Sequence, residues 1–204
     1  MDATVRKLLL ILLILLIPYY VHAGCGLMMM GGGTGVCNPL TDDVGDKTET
    51  GTDGAFATDY AYCYLTIAAC SGTLSYAELW HRGTTAGLTA KVGVFLSADG
   101  STYHEPAAHD TLVGDWSAAI TSTTSQAWTE SSNELGGTVV AGSYYWLCTI
   151  GGDSVTGDWT HEYNSGSGYY MGTTGIYGTP PSTLAETGTW NAVGRLWSVY
   201  VKIK

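Results

Sequence analysis

Aromatic, carboxylate and amide side chains are concentrated in one Gly/Ser/Thr-rich segment, DWTHEYNSGSGYYMGTTGIYGTPP, which begins at Asp158. Apolar faces of sugar rings stack on exposed aromatic rings, while carboxylates and amides hydrogen-bond the hydroxyls. The segment therefore predicts a ligand-facing surface for carbohydrate. The alternative is that Trp159 and about half of the tyrosines pack in a core or at its rim. The predicted ligand-binding residues are Trp159, Tyr163, Tyr169, Tyr170, Tyr177, Asp158, Glu162 and Asn164.

Glutamates supply the residue type that glycoside hydrolysis requires. Two carboxylates must flank the scissile bond about 5–10 Å apart. Glu78 lies in a predicted strand beside Trp80, but a glutamate on a sheet surface is most often only solvated. The sequence contains no nucleophile elbow, zinc-protease motif or phosphate-binding loop, so we expect no catalytic residues and keep a hydrolase as an alternative. The candidate carboxylates are Glu78, Glu130, Glu134 and Glu162.

Five cysteines, an odd number, occur at positions 25, 37, 63, 70 and 148. Lipidation of Cys25 would leave four cysteines, which allow three disulfide connectivities. A Cys63–Cys70 bond is the least favourable sterically, because seven extended residues span more than about 20 Å, whereas the two Cα atoms of a disulfide lie about 6 Å apart. Buried free thiols at Cys63 and Cys148 are the alternative to disulfides.

Histidines at positions 104 and 109 form the one short-range pair of possible metal ligands. Pro106 lies between them and no third ligand follows nearby, so the pair lacks the pattern of a zinc site. We therefore expect neither a metal nor a cofactor.

The charge distribution disfavours nucleic acid as a partner. The formal net charge is −10, with 8 basic residues against 18 acidic ones. Phosphate binding needs clustered Lys and Arg, and here they are scattered. The acidic surface is instead expected to keep an aromatic-rich domain soluble.

The N-terminus has the pattern of a secretory signal peptide over residues 1–23. Two basic residues precede the ten apolar residues Leu8–Ile17, and cleavage after Ala23 fits the small-residue rule. An uncleaved anchor is the alternative. The sequence His22-Ala23-Gly24-Cys25 also resembles a bacterial lipobox, in which Cys25 would be acylated and tether the protein to a membrane. Either route predicts an extracellular or cell-surface location.

The remaining chain divides into a Gly/Thr/Asp-rich flexible linker, residues 24–54, and a β-sandwich domain, residues 55–204. Its organising strand is Val139–Ile150, because bulky side chains fall on both faces of this stretch and a strand buries both faces only inside a sandwich. Ala98-Asp99-Gly100-Ser101 predicts a hairpin turn. Further strands are predicted at Tyr60–Ala68, Leu74–His81, Ala90–Leu96 with Val92, Val94 and Leu96 inward, Gln126–Glu134, Asp158–Tyr163, Tyr169–Thr173 and Arg195–Ile203.

The order of these segments resembles a known architecture. A Ser-Gly-Thr turn, a K-V-G-V-F-L strand with an A-D-G-S hairpin, the V-x-A-G-S-Y-Y-W-L strand and a P-P-S-T-L loop are similar to the jelly-roll sandwiches of extracellular surface proteins and carbohydrate-binding modules. The resemblance covers most of residues 55–204. It implies an all-β, antiparallel jelly-roll-like sandwich and a non-catalytic binding module. A structural subunit of an extracellular or virion-like assembly, and with it a homo-oligomer, is the alternative.

Overall fold

The computed structural model describes a set of ranges that all belong to one compact unit, residues 34–204. Side chains are not described for residues 52–56, 155–172 and 191–197. The predicted signal peptide, Cys25, His104 and His109 lie outside the described residues. The described ranges are 43–45, 47, 52–56, 59–81, 86–99, 106, 110–152, 155–172, 176–184 and 191–204.

The described part of the chain is all-β, and it forms no helix long and apolar enough to cross a membrane. Every strand pairing described is antiparallel. The strands are β1 (Asp43–Gly45), β2 (Thr52–Phe56), β3 (Tyr60–Ile67), β4 (Gly72–His81), β5 (Thr89–Leu96), β6 (Thr111–Leu112), β7 (Ile120–Thr121), β8 (Ala127–Glu130), β9 (Thr138–Val139), β10 (Tyr144–Gly151), β11 (Val155–Gly172), β12 (Asn191–Trp197) and β13 (Val199–Ile203).

The strands form two antiparallel sheets. In the first sheet β4 pairs with β13 on one side and with β8 and β9 on the other, and β1 pairs with β13. In the second sheet the order is β11-β3-β10-β5, with β2 and β12 on β11 and with β6 and β7 on β5. Among the described residues, the two sheets are joined by one strand pairing, that of His81 in β4 with Trp159 in β11. This arrangement confirms an all-β fold of two packed sheets.

Side chains from both sheets fill the main core. Alternation along β4 and β13 turns Ala77, Leu79 and Val199 inward, and all three are fully buried. Val94 of β5 and Leu147 of β10 join the same apolar cluster from the second sheet. Because successive side chains of a strand point to opposite faces, Glu78 and Tyr200, which alternate with these residues, lie on the outside of the first sheet.

The second sheet is covered on its other face as well. There Trp146 and Phe95 belong to a smaller cluster that Trp116 helps to cover. Gly93 allows this packing, because a Cβ atom there would lie 2.9 Å from the Trp116 ring. Trp116 Nε1 donates to Pro181 O at 2.8 Å. The prediction that the organising strand has two buried faces is therefore confirmed, and Trp146 is fully buried.

A disulfide joins the two central strands. Cys63 of β3 and Cys148 of β10 are cross-strand partners, 4.1 Å apart at Cα, and both are buried. The alternative of free thiols at these positions is therefore wrong, because the pairing register places the cysteines directly opposite each other. Cys70 is also disulfide-bonded. Disulfides persist in oxidising compartments, which is compatible with an extracellular location.

Several sequence-based boundaries need correction. Strand β1 and the first three residues of β2 lie inside the range predicted as linker, and the fully buried Val44 ties β1 to the core. The prediction that Leu96 faces inward is wrong: it is 40% exposed, because β5 ends there at the rim of the sheet. A turn is present at Ala98–Asp99, and the next strand among the described residues that pairs with β5 begins at Thr111.

The predicted C-terminal strand is two strands. A bend at Ser198 separates β12, which pairs with β11, from β13, which pairs with β4. The same chain segment therefore contributes to both sheets. Leu74 lies in the main core beside Ala77 and Leu79, although simple alternation puts it on the opposite face. The register shift opposite it, between Val201 and Ile203, accounts for the change of face.

Candidate functional site

The residues predicted to bind carbohydrate lie on β11, apart from Tyr177. The structure describes their backbone. Tyr169 pairs with Cys63 and Ala192, so this part of β11 lies inside the sheet, with a neighbour on each side. Between Tyr163 and Gly168 the register with β12 shifts, which places Asn164 in an irregular part of the strand. The side chains of Asp158, Trp159, Glu162, Tyr163, Asn164, Tyr169 and Tyr170 lie outside the described residues.

Tyr177 lies in a turn and is half-buried. Its backbone N–H donates to Asp59 Oδ1 at 2.9 Å, and Lys91 Nζ donates to its carbonyl oxygen at 3.0 Å. The same ammonium lies 4.7 Å from the centre of the Tyr177 ring. Because a lysine already occupies one ring face, Tyr177 has at most one face left for a ligand.

A second group of aromatic and charged side chains lies on the outside of the first sheet. We call it the outer aromatic face. Its members alternate with the core residues of β4 and β13, and β8 contributes the neighbouring positions. The outer aromatic face consists of Tyr76, Glu78 and Trp80 of β4, Trp128 and Glu130 of β8, and Tyr200 and Lys202 of β13.

Three rings form a row across this face. The centres of Trp80 and Trp128 are 5.5 Å apart, and those of Trp128 and Tyr200 are 4.9 Å apart with planes at 67°. Edge-to-face contacts at these distances are favourable between aromatic rings. Lys47 Nζ lies 4.6 Å from the centre of the Tyr200 ring. Trp80 and Tyr200 are 9% and 8% exposed, whereas Trp128 is only half-buried, so Trp128 is the most accessible ring of the row.

Two carboxylates share one lysine beside this row. Glu78 and Glu130 are directly opposite each other on β4 and β8. Lys202 Nζ pairs with Glu78 and donates to Glu130 Oε2 at 2.6 Å. Tyr200 Oη donates to Glu78 Oε2, also at 2.6 Å. The lysine therefore holds together two like charges that would otherwise repel each other.

The environment shifts the pKa of Glu78, Tyr200 and Lys202. Burial raises the pKa of Glu78, but hydrogen bonds from Lys202 and Tyr200 outweigh it, and the net pKa lies below the ordinary 4.5. Burial and the Glu78 carboxylate both raise the pKa of Tyr200. For Lys202, burial lowers the pKa, but hydrogen bonds to Glu130 and Glu78 outweigh it and raise the pKa overall. Glu78 and Lys202 are therefore ionised near neutral pH, whereas the Tyr200 phenol stays protonated.

The ionised, ion-paired state of Glu78 differs from what the hydrolase alternative requires. A general acid in glycoside hydrolysis needs a raised pKa, and the two carboxyl groups need about 5–10 Å of space between them for the substrate. Glu78 has a lowered pKa, and Lys202 is bonded to both carboxylates. Glu134 pairs with Lys204 instead. The geometry of Glu78 and Glu130 is thus that of an ion-paired network.

Metal-binding residues do not cluster in the described part of the chain. No group of three or more His, Cys, Asp or Glu side chains suited to a metal ion occurs among those residues. His81 is fully buried and its Nε2 atom lies 2.7 Å from Thr129 Oγ1, so this histidine is part of the pairing between β4 and β8.

Sequence reasoning named Glu78, Trp80 and Glu130 but not Trp128 or Tyr200 as site residues. Alternation along β13 does place Tyr200 and Lys202 on one face. What the sequence does not contain is the choice of β8 and β13 as the neighbours of β4. Only that choice brings the rings and carboxylates together.

Comparison with known proteins adds no functional assignment. No protein-family model matches the chain, and no curated protein matches its sequence.

Proposed function

We propose that this protein is an exported, non-catalytic binding module with a jelly-roll-like sandwich fold. The apolar run before Ala23 supports export, and a disulfide between the central strands is the chemistry of an oxidising compartment. The mature protein is either free or tethered to a membrane through a lipid on Cys25.

Carbohydrate is the ligand that we propose. The observation that carries this proposal is the composition of β11, a single strand that contains Trp159, Tyr163, Tyr169 and Tyr170 together with acidic and amide residues. Extended saccharides are bound by rows of rings with polar groups beside them, and a strand repeats its side chains at a spacing of about 6.6 Å on one face. A β-strand is therefore a suitable support for successive sugar rings.

A glycan-binding screen of the secreted protein tests this function. Tryptophan fluorescence then measures the affinity of each glycan that binds, in wild type and in the Trp159→Ala and Tyr170→Ala variants. We expect at least one of the two variants to bind more weakly. Undiminished binding in both would remove β11 as the binding surface, and no binding of wild type to any glycan would refute the function itself.

A structural role in an assembly is the second candidate. Ile67, Leu96 and Val140 are between 39% and 55% exposed, and they are the large apolar side chains with the greatest exposure among the described residues. Ile67 is opposite Tyr144, and Leu96 is opposite Tyr145, so they lie at the same end of β3 and β5, the strands on either side of β10. Exposed apolar side chains at a shared edge favour protein contacts. Size-exclusion chromatography that shows polymers in place of glycan binding would support this role.

A further inference from the structure

We propose that the outer aromatic face binds an uncharged saccharide, with Trp128 as the stacking ring and Glu130 as an acceptor for sugar hydroxyls. This inference rests on the proposed carbohydrate-binding function and assigns it a site in the first sheet, which is separate from the predicted residues of β11.

Accessibility separates the residues that support the row from those that a ligand reaches. Lys47 covers a face of the Tyr200 ring, and Tyr200 is 8% exposed, so Tyr200 serves as a support. Trp128 is half-buried, and the Glu130 side chain is 44% exposed. A ring and a carboxylate next to each other on one short strand can contact the apolar face and a hydroxyl of the same sugar.

This face has three carboxylates and two lysines, a net charge of about −1, which disfavours an anionic ligand. Lys202 pairs with Glu78 and Glu130, and Lys47 pairs with Asp43. An anionic saccharide would be repelled by three carboxylates unless it displaced them from the lysines. A neutral sugar needs no such exchange, because a carboxylate bonded to Lys202 still has acceptor sites for hydroxyl groups.

Two buried polar atoms on the same face have no hydrogen-bond partner among the described residues. They are Trp80 Nε1 and Ser198 Oγ. Both residues are at least nine-tenths buried, and they are neighbours, since the Trp80 backbone N–H donates to Ser198 O at 3.0 Å. Buried polar groups are normally paired. Both atoms lie below the accessible surface of the row, so they do not themselves contact a ligand that is bound at Trp128 and Glu130.

Titration of the full chain, purified in its secreted form, tests the inference. Cellohexaose, xylohexaose and mannohexaose serve as neutral probes and hexagalacturonate as the anionic probe, with affinity measured by calorimetry. Trp128→Ala should weaken binding of the best neutral probe by about tenfold or more, equivalent to about 1.4 kcal/mol. Glu130→Gln keeps the shape but loses a charge-assisted acceptor, and should weaken binding by about threefold to tenfold. Tyr144→Ala, a half-buried ring of the other sheet, is the matched control and should bind as wild type does.

The outcomes separate this site from the general function. If wild type binds a neutral probe and both variants bind it equally well, the outer aromatic face is not the site, although the function stands. Preference for hexagalacturonate would overturn the uncharged ligand class. If Trp128→Ala does not fold, Glu130→Gln decides, because its exposed side chain is not needed in a core. If wild type binds none of the four probes, this site is refuted, and a negative result in the whole glycan screen refutes the function as well.

Discussion

Removal of the Cys63–Cys148 disulfide should be one of the most destabilising changes in the domain. The double variant Cys63→Ala/Cys148→Ala avoids a new free thiol. The bond links residues 85 positions apart. In the chain-entropy description, closing a loop of that length stabilises the folded state by about 4.5 kcal/mol. Total stabilities of domains are about 5–15 kcal/mol, so this is a large share.

Urea unfolding followed by tryptophan fluorescence measures the effect. We expect the free energy of unfolding to fall by about 3–5 kcal/mol and the slope of its urea dependence to rise, because the unfolded chain without the cross-link exposes more surface. In thermal melts the same loss lowers Tm by roughly 6–20 °C, since 1 kcal/mol corresponds to about 2–4 °C in a domain of this size.

A matched control lies on the same two strands. Ile67 and Tyr144 are cross-strand partners at the exposed end of β3 and β10. Ile67 is 39% exposed, so Ile67→Ala should lower the free energy of unfolding by less than about 1 kcal/mol. If the double cysteine variant unfolded within about 1 kcal/mol of wild type, the cross-link would contribute little and the loop-closure reasoning would fail.

Three further predictions concern the core, the ion-paired cluster and the N-terminus. Trp146→Ala should cost about 3–5 kcal/mol because it removes a fully buried ring, and a variant that melts like wild type would contradict this. Burial raises the pKa of Glu78, but hydrogen bonds, with that from Lys202 the strongest, outweigh it and hold this pKa below its ordinary 4.5. The stability that ionised Glu78 contributes is thus present above about pH 4.5 and is lost as the pH falls below that value. The difference in Tm between wild type and Glu78→Gln should therefore become smaller below about pH 4.5. A difference in Tm that does not change with pH would count against the ion pairs. Intact mass of the secreted protein should show loss of the residues up to Ala23, or up to Gly24 with a lipid on Cys25, whereas retention of Met1 would disprove both routes.

Local alternation in the sequence determined two of the central strands of the second sheet, β3 and β5, to within one residue. The predicted strand Tyr60–Ala68 is one residue longer than β3, and the predicted strand Ala90–Leu96 is one residue shorter than β5. Which side chains of β10 share a face also followed from the sequence, because the pleat of a strand sends successive side chains to opposite sides. The inward direction of Leu96 did not follow, because alternation gives the face of a side chain and not where the sheet ends.

Only the tertiary structure decided which distant residues meet. Cys63 joins Cys148, and Glu78 lies opposite Glu130, because of strand order and register. Those choices depend on how two sheets together bury their apolar faces, a property of the whole chain that no short segment encodes. The outer aromatic face has the same origin: β8 and β13 are distant in sequence, and their packing on either side of β4 places Trp128 and Tyr200 with rings 4.9 Å apart.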